Sequence, residues 1–248
     1  MSILQKIVAN TKTNLVHKKA EFPLDKIQSS LENLKLPRSK FKDNILSKDE
    51  AIIAEIKKAS PSAGIIKEDF HPTKIAMEYE SFGASALSIL TEEDFFMGSI
   101  EYLKDVKKIT SLPILRKDFM IDEYQIYESK LIGADCILLI ASILNDQQIE
   151  AFINVAIKLE LDYLIEVHDE NELKRVDRFE DALIGVNNRN LETFEVDLNN
   201  SVRLRNTFKQ KNIFIAESGI KSREDMNYLK MNNIKVFLIG ESLMRGSF

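Results

Sequence analysis

Short apolar runs alternate with longer amphipathic segments along most of the chain. The runs are IIAEIK from Ile52, ALSILT from Ala86, PILRKDF from Pro113, CILLIAS from Cys136, YLIEVH from Tyr163, LIGVNNR from Leu183, IFIAESG from Ile213 and VFLIGES from Val236. Apolar runs of this length are typical of buried β-strands. They recur about every 20 to 35 residues, which is the spacing that parallel strands need when a helix connects each strand to the next. The pattern therefore predicts eight strands that alternate with helices.

The segments between these runs carry helix signals. Apolar residues recur at helical spacing from Ile149 to Ile157, and Asn145 with Gln148 supplies a capping box ahead of them. Ser222 with Asp225 offers the same device before the last predicted strand. These signals support the alternation of strand and helix.

The first fifty residues also have the helical period. Apolar residues recur at this spacing from Ile3 to Val8 and again after Pro23. No linker, low-complexity stretch or block of charge interrupts the chain. We therefore expect one domain over 1–248, with a helical extension at 1–50 and a β/α region at 51–248.

Eight strands alternating with helices form either a closed (β/α)₈ barrel or an open doubly wound sheet. An open sheet usually has a glycine-rich turn after its first strand, and the segment SPSAG from Ser60 is a poor match to that fingerprint. The even spacing of the runs favours the barrel. We predict a TIM barrel.

Composition narrows the class of function. The chain has 248 residues, a net charge of −5 and one cysteine, Cys136. The negative charge disfavours a nucleic-acid partner, and one cysteine gives neither an internal disulfide nor a metal cluster. No apolar run has the length of a membrane span or of a secretory signal. We expect a cytoplasmic protein, a monomer or a weak oligomer, with no membrane or nucleic-acid partner.

Charged and polar side chains collect at the ends of five predicted strands. They are Glu55 and Lys57, Lys117, Glu166, Asn187 and Arg189, and Glu217 with Ser218. In a barrel these strand ends meet at one pole, where active sites lie. Any one of them alone is best explained as a solvated strand end. The group as a whole is not explained in this way. A buried charge that loses its partner costs roughly 3 to 5 kcal/mol, so collecting several charges at one mouth would be a poor way to stabilise a fold.

The last two strands end in loops that suit an anion. Gly219 follows Glu217 and Ser218, and Gly240 precedes Glu241, so each turn from strand to helix contains a glycine. Backbone N–H groups of these two loops often bind phosphate in barrels. A glycine at a turn is often only a turn, but two on consecutive loops favour a phosphate site. Arg189 and Lys57 add positive charge to it.

Acid and base groups occur together in this set. A lysine acid needs a pKa near the working pH, and a free lysine has a pKa near about 10.4. Burial and Lys57 would lower the pKa of Lys117, whereas Glu55, Glu166 and Glu217 would raise it, so the direction stays open. No metal, redox group or other cofactor is indicated.

The motifs resemble those of one family. EIKKASPSAG, LTE with FFMGS, LRKDF, ILLI, EVH, IGVNNRNL, ESGI and LIGESLM are similar, in order and spacing, to the motifs of indole-3-glycerol phosphate synthases, from Glu55 to Met244. The helical extension also resembles that family's. The resemblance implies a carboxy-lyase of tryptophan biosynthesis. Its reaction converts 1-(2-carboxyphenylamino)-1-deoxyribulose 5-phosphate into indole-3-glycerol phosphate, with loss of carbon dioxide and water.

The resemblance also implies roles for individual residues. Lys117 is the implied general acid and Glu166 the general base, while Lys57 contacts the substrate carboxylate, either as a binding residue alone or also as an acid in the dehydration. Glu55 and Asn187 are expected to hold hydroxyl groups. Further implied binding residues are Ser60, Arg189, Glu217 and Ser218, with Phe119, Leu138 and Leu191 around the aromatic ring.

Two alternatives and one departure accompany this interpretation. A phosphoribosylanthranilate isomerase-like enzyme would want a cysteine base after the first strand, and a catalytically silent phosphate-binding or subunit-interaction barrel would not need Lys117, Glu166 and Lys57. The family normally continues through a full helix after the last strand, whereas this chain ends at Phe248. We therefore expect an incomplete outer ring.

Overall fold

The computed structural model describes residues 2–34, 36–191 and 193–248. Its strands are β1 Ala51–Ile56, β2 Ala59–Ser60, β3 Gly64–Ile65, β4 Ala86–Leu90, β5 Ile114–Lys117, β6 Cys136–Ile140, β7 Asp162–Val167, β8 Leu183–Asn187, β9 Phe214–Glu217 and β10 Val236–Ile239. β2 and β3 form a small antiparallel hairpin in the loop after β1. The other strands in this described part correspond to the eight apolar runs.

These strands close into a parallel barrel in the order β1-β4-β5-β6-β7-β8-β9-β10, in which β10 returns to pair with β1. Ala51 lies opposite Val236 across the closing pair, and Ile53 lies opposite Ala86 on the other side of β1. Every backbone edge of the sheet is thereby paired. The prediction of a (β/α)₈ TIM barrel is confirmed.

Helices cover the outside of the barrel and precede it. They are α1 Ile3–Glu21, α2 Leu24–Asn33, α3 Phe41–Leu46, α4 Pro72–Phe82, α5 Ile100–Lys107, α6 Glu123–Leu131, α7 Asp146–Lys158, α8 Glu170–Val176, α9 Asn199–Thr207, α10 Arg223–Met231 and α11 Glu241–Met244. Both predicted capping boxes form, at Asn145 before α7 and at Ser222 before α10. The predicted N-terminal helical extension is confirmed as α1 to α3.

The alternation of side chains along β1 divides the core into two parts. Ile52, Ala54 and Ile56 pack outward in the cluster between the sheet and the helices. Ala51 and Ile53 pack inward with residues of the other strands. Residues two apart on a strand share a face, so the side chains that follow Ile53 on the inner face point towards one mouth of the barrel.

The last helix of the extension, α3, closes the opposite mouth. Phe41 and Ile45 of α3 are fully buried and belong to the cluster inside the barrel. Burying such side chains contributes about 1.5–3 kcal/mol each. Because α3 fills the end where the strands begin, the open end is the one where the strands finish.

The helix after β10 is short. α11 spans four residues, and the ring of Phe248 beyond it packs edge-on against Phe82 of α4, with 6.3 Å between ring centroids. The guanidinium of Arg223 lies 5.8 Å from the centre of the same ring. Phe248 therefore covers part of the surface beside the last strand.

Candidate active site

A cavity of about 560 Å³ occupies the mouth where the strands finish. Strand ends and the loops after them supply its walls. All of the residues predicted for the site line this cavity: Glu55, Lys57, Ser60, Lys117, Phe119, Leu138, Glu166, Asn187, Arg189, Leu191, Glu217, Ser218, Gly219, Gly240 and Glu241. Closure of the barrel thus brings together residues that the sequence separates widely.

Lys117 is the centre of a buried ionic cluster. It is the last residue of β5, and its Nζ lies 3.0 Å from Glu166 Oε2 and 2.5 Å from Glu217 Oε2. The three side chains are 13%, 5% and 2% exposed. Asn187 Nδ2 donates a hydrogen bond of 3.2 Å to the other oxygen of Glu166. One lysine therefore bridges carboxylates from two other strands.

The cluster settles the direction of the lysine's pKa. Burial alone would lower the pKa of Lys117, but the carboxylates of Glu166, Glu217 and Glu55 outweigh it and raise the pKa above its ordinary value. Burial likewise opposes the charge of Glu166, yet Lys117 and His168 lower the pKa of that carboxyl. The side chains of Lys117 and Glu166 therefore carry opposite charges in the same site.

Glu217 has a different balance. Burial raises the pKa of its carboxyl, and the negative charge of Glu166 adds to this, against the opposing effect of Lys117. A second ion pair lies beside the cluster, where Lys57 Nζ is 2.5 Å from Glu55 Oε2. These neighbouring ion pairs together comprise two lysines and three carboxyl groups.

Two inward-facing glycines make room for these carboxyl groups. A Cβ on Gly185 of β8 would collide with Glu217 Oε1 and Leu164, and one on Gly240 would collide with Glu55 Oε2. Gly240 has a φ of −118°, so the backbone conformation does not require glycine there. The close approach of Glu55 requires glycine at this position, whereas the sequence suggested that the turn requires it.

The loop after β9 has an unusual backbone. Ser218 and Gly219 both have positive φ, 66° and 84°. Such strain at a residue other than glycine is typical of functional sites. Across the cavity wall, Glu241 Oε2 lies 3.8 Å from Arg189 Nη2 and Glu241 Oε1 lies 3.0 Å from Arg245 Nε. The side chain of Glu241 therefore pairs with arginines, and only its backbone N–H suits an anion.

An apolar wall faces the ionic cluster. Phe119, Leu138 and Leu191 line it as predicted, and the ring of Phe96 lies 5.8 Å from that of Phe119. Phe96 was not among the residues predicted for the site, yet it lies in the cavity wall. Its position just after β4 was the available signal.

The first turns of α1 were also missed. Ile3, Leu4 and Ile7 line the cavity. An apolar stripe on a helix looks the same in sequence whether it covers a core or a binding site. Asn10 and Asn14 of the same helix donate hydrogen bonds to Asp94 in the loop after β4, which holds α1 against the mouth.

Cys136 lies away from this mouth. It is the first residue of β6, is fully buried, and burial raises the pKa of its thiol well above the ordinary value. It therefore cannot serve as the cysteine base that an isomerase-like site would need. Within 2–34, 36–191 and 193–248, no group of histidine, cysteine and acidic side chains is arranged to hold a metal ion. No helix in that part is long and apolar enough to cross a membrane.

A closed barrel with a buried lysine–carboxylate cluster in the cavity at the ends of its strands is typical of TIM-barrel enzymes. The family model for indole-3-glycerol phosphate synthase matches residues 4–247. The chain belongs to the indole-3-glycerol phosphate synthase family, and it is a carboxy-lyase of tryptophan biosynthesis. The resemblance read from the motifs is confirmed.

Relatives support the assignment over nearly the whole chain. The indole-3-glycerol phosphate synthase of Ruminiclostridium cellulolyticum is 48% identical over 245 residues, covering 98% of this chain and 94% of the relative. That of Clostridium acetobutylicum is 46% identical over 243 residues, covering 98% and 92%. A solved structure of N-acetylmannosamine-6-phosphate 2-epimerase from Clostridium perfringens matches with a TM-score of 0.61 at 14% identity, covering 81% of this chain and 91% of that one. At that identity it supports the fold alone.

Proposed function

We propose that this chain carries out the family's reaction with Lys117 as general acid and Glu166 as general base. The substrate is 1-(2-carboxyphenylamino)-1-deoxyribulose 5-phosphate, and the products are indole-3-glycerol phosphate, carbon dioxide and water. One observation supports these roles above the others: Lys117 and Glu166 lie 3.0 Å apart with opposite charges in the cavity.

The chemistry needs two proton donations and one removal. Ring closure puts a proton on the ketone oxygen, and the resulting hydroxyl needs a second proton to leave as water. Formation of the indole then releases one proton from the carbon next to the nitrogen. Lys117 supplies the first proton, Lys57 takes part in the second donation, and Glu166 accepts the proton that is released.

The contact between Lys117 and Glu166 couples these steps. While Lys117 is charged, it holds the pKa of Glu166 low and makes it a weak base. Once Lys117 has given its proton to the ketone, that influence disappears and Glu166 becomes a stronger base. The base gains strength after the acid has acted, which is the order that the reaction requires.

The remaining wall groups bind the substrate. The loops at Ser218–Gly219 and Gly240–Glu241 hold the phosphate through backbone N–H groups, with Arg189 adding positive charge. Glu241 contributes through its backbone, because its carboxylate pairs with Arg189 and Arg245.

The sugar and the aromatic ring have separate contacts. Glu55 and Asn187 accept or donate hydrogen bonds at the hydroxyl groups, and Lys57 contacts the substrate carboxylate before it leaves. The apolar side, formed by Phe119, Leu138, Leu191 and the additional Phe96, holds the aromatic ring. Ser60 and Glu217 complete the wall of the site.

The test is formation of indole-3-glycerol phosphate from the carboxyphenylamino substrate, followed by indole fluorescence. Lys117→Ala is expected to lower turnover by about 10²- to 10⁴-fold while substrate binding survives. Lys107→Ala is the matched control, because Lys107 forms an ion pair of 2.5 Å with Asp135 outside the cavity. Turnover retained in Lys117→Ala would remove Lys117 from its role. A folded wild-type chain without product would support the silent barrel.

A further inference from the structure

His168 lies between two carboxylates just behind the proposed base. It directly follows β7, and its Nε2 is 3.4 Å from Glu166 Oε1. On the other side of the ring, Nδ1 is 3.1 Å from Glu172 Oε2 in α8. The side chain is 17% exposed and is absent from the residues that line the cavity. It can therefore act on the reaction only through Glu166.

Backbone contacts fix the position of this ring. The N–H of His168 donates to Glu172 Oε2 at 2.8 Å, and Asn200 Nδ2 donates to the His168 carbonyl at 3.0 Å. Asp169 caps the N-terminus of α8 through the backbone N–H groups of Asn171 and Glu172. The imidazole is thus held from α8 and α9 and directed towards Glu166.

The charged groups that face the imidazole are both negative. Burial would lower the pKa of His168, but Glu166 and Glu172 outweigh it and raise the pKa to about 10. From the neighbouring strand β8 the polar group is Asn187, which is uncharged and bonds Glu166. Lys117 of β5 lies on the other oxygen of Glu166. At neutral pH the ring is an imidazolium between two carboxylates.

We propose that His168 is a positioning residue for the reaction: held between Glu166 and Glu172, it orients the Glu166 carboxylate and keeps it ionised. This inference rests on the proposed role of Glu166 as the base. When Lys117 loses its proton, Glu166 loses one of its two cationic neighbours. The imidazolium of His168 remains, so Glu166 stays available for the substrate proton rather than taking one from elsewhere. Glu172 serves this arrangement by keeping His168 charged.

The first experiment is an NMR titration of the histidine rings in the wild-type chain. The chain has three histidines, and His17 and His71 are exposed. We expect His168 to remain doubly protonated until pH approaches about 10, far above the ordinary value of about 6.5. Titration of His168 near that ordinary value would overturn the proposal without any substitution at the site.

Two variants of α8 test whether the carboxylate of Glu172 raises the pKa of His168. Glu172→Gln is expected to lower the pKa of His168 by about 1 to 3 units, because it removes an opposite charge at close range. Glu170→Gln is the matched control, since Glu170 pairs with Arg203 at 2.6 Å and is 44% exposed. Equal effects of the two variants would contradict the proposed contact.

Kinetics of His168→Gln then test the consequence for the reaction. Glutamine leaves a polar amide beside Glu166 but carries no charge. We expect the acidic limb of the kcat profile to move up by about 1 pH unit or more, with KM nearly unchanged. A merely structural role would lower activity without moving that limb, and an unmoved limb would refute the inference. Full activity of Glu166→Gln would instead refute the proposed base, so the two failures are distinguishable.

Discussion

Replacing Lys117 by methionine should make the stability of the fold depend on pH in a new way. Methionine keeps most of the length of the side chain and removes its charge. The partner that responds most is Glu217, which is 2% exposed and lies 2.5 Å from Lys117 Nζ. Every other cause acting strongly on this carboxyl, namely burial and the charges of Glu166 and Glu55, raises its pKa.

The size of the effect follows from the distances. Two unit charges 2.5 Å apart attract by about 7 kcal/mol at an effective dielectric constant of 20, before the cost of removing both from water is counted. Breaking a buried pair by removing one partner costs about 3–5 kcal/mol in practice. Loss of an opposite charge at this range raises the pKa of a carboxyl by about 1 to 3 units, and each unit corresponds to about 1.36 kcal/mol.

The sign is set by the unfolded chain, in which Glu217 ionises near its ordinary value of 4.5. In the folded variant the carboxyl keeps its proton to higher pH than in the folded wild type. Stability is therefore lost as pH rises from the pKa of Glu217 in the unfolded chain to its pKa in the folded variant, and this interval is wider than in the wild type. We expect Lys117→Met to be about 2–3 kcal/mol more destabilising at pH 9 than at pH 5.

Urea unfolding at these two pH values measures the difference. The double variant Lys117→Met/Glu217→Gln is expected to recover stability at pH 9, because the unpaired carboxyl is gone. Lys107→Met is the control, since it breaks an ion pair of 2.5 Å outside the cavity. An equal cost of Lys117→Met at both pH values, or no recovery in the double variant, would refute the reasoning.

Two further outcomes are expected. Gly185→Ala should destabilise the fold by about 1–3 kcal/mol and lower turnover, because the new methyl group displaces Glu217; thermal unfolding and the fluorescence assay check both. Wild-type stability should fall between about pH 6.5 and pH 10 as the unfolded state loses the His168 proton that the folded state keeps, and His168→Gln should flatten this fall in urea titrations.

The positions on the barrel strands follow from the sequence for a simple reason. Successive side chains on a strand face opposite sides, and closure buries both sides. Glu55 and Lys57 must therefore follow Ile53 towards the mouth, whatever the helices do. The same rule places Lys117 after Leu115 and directs both side chains into the barrel.

The contacts between side chains of different strands cannot be predicted from this alternation. Lys117 and Glu217 are 100 residues apart, and their contact depends on how the closed sheet is staggered. The direction of the lysine's pKa depends on those distances, so the sequence left it open. The position of Ile3 in the cavity wall depends on how α1 packs across the mouth, which helical spacing does not determine.

The distances within the cluster also constrain the way in which the catalyst is restored. After turnover Glu166 holds a proton and lies 3.0 Å from the lysine that has lost one, so a direct transfer restores Lys117 without help from solvent. The reaction consumes one more proton than it releases, because loss of carbon dioxide removes a carboxylate. That proton has to enter through the second acid. Under the proposed roles the second acid is Lys57. It pairs with Glu55, whereas Lys117 pairs with Glu166 and Glu217. Replacing Lys57 should therefore slow the dehydration step more than ring closure.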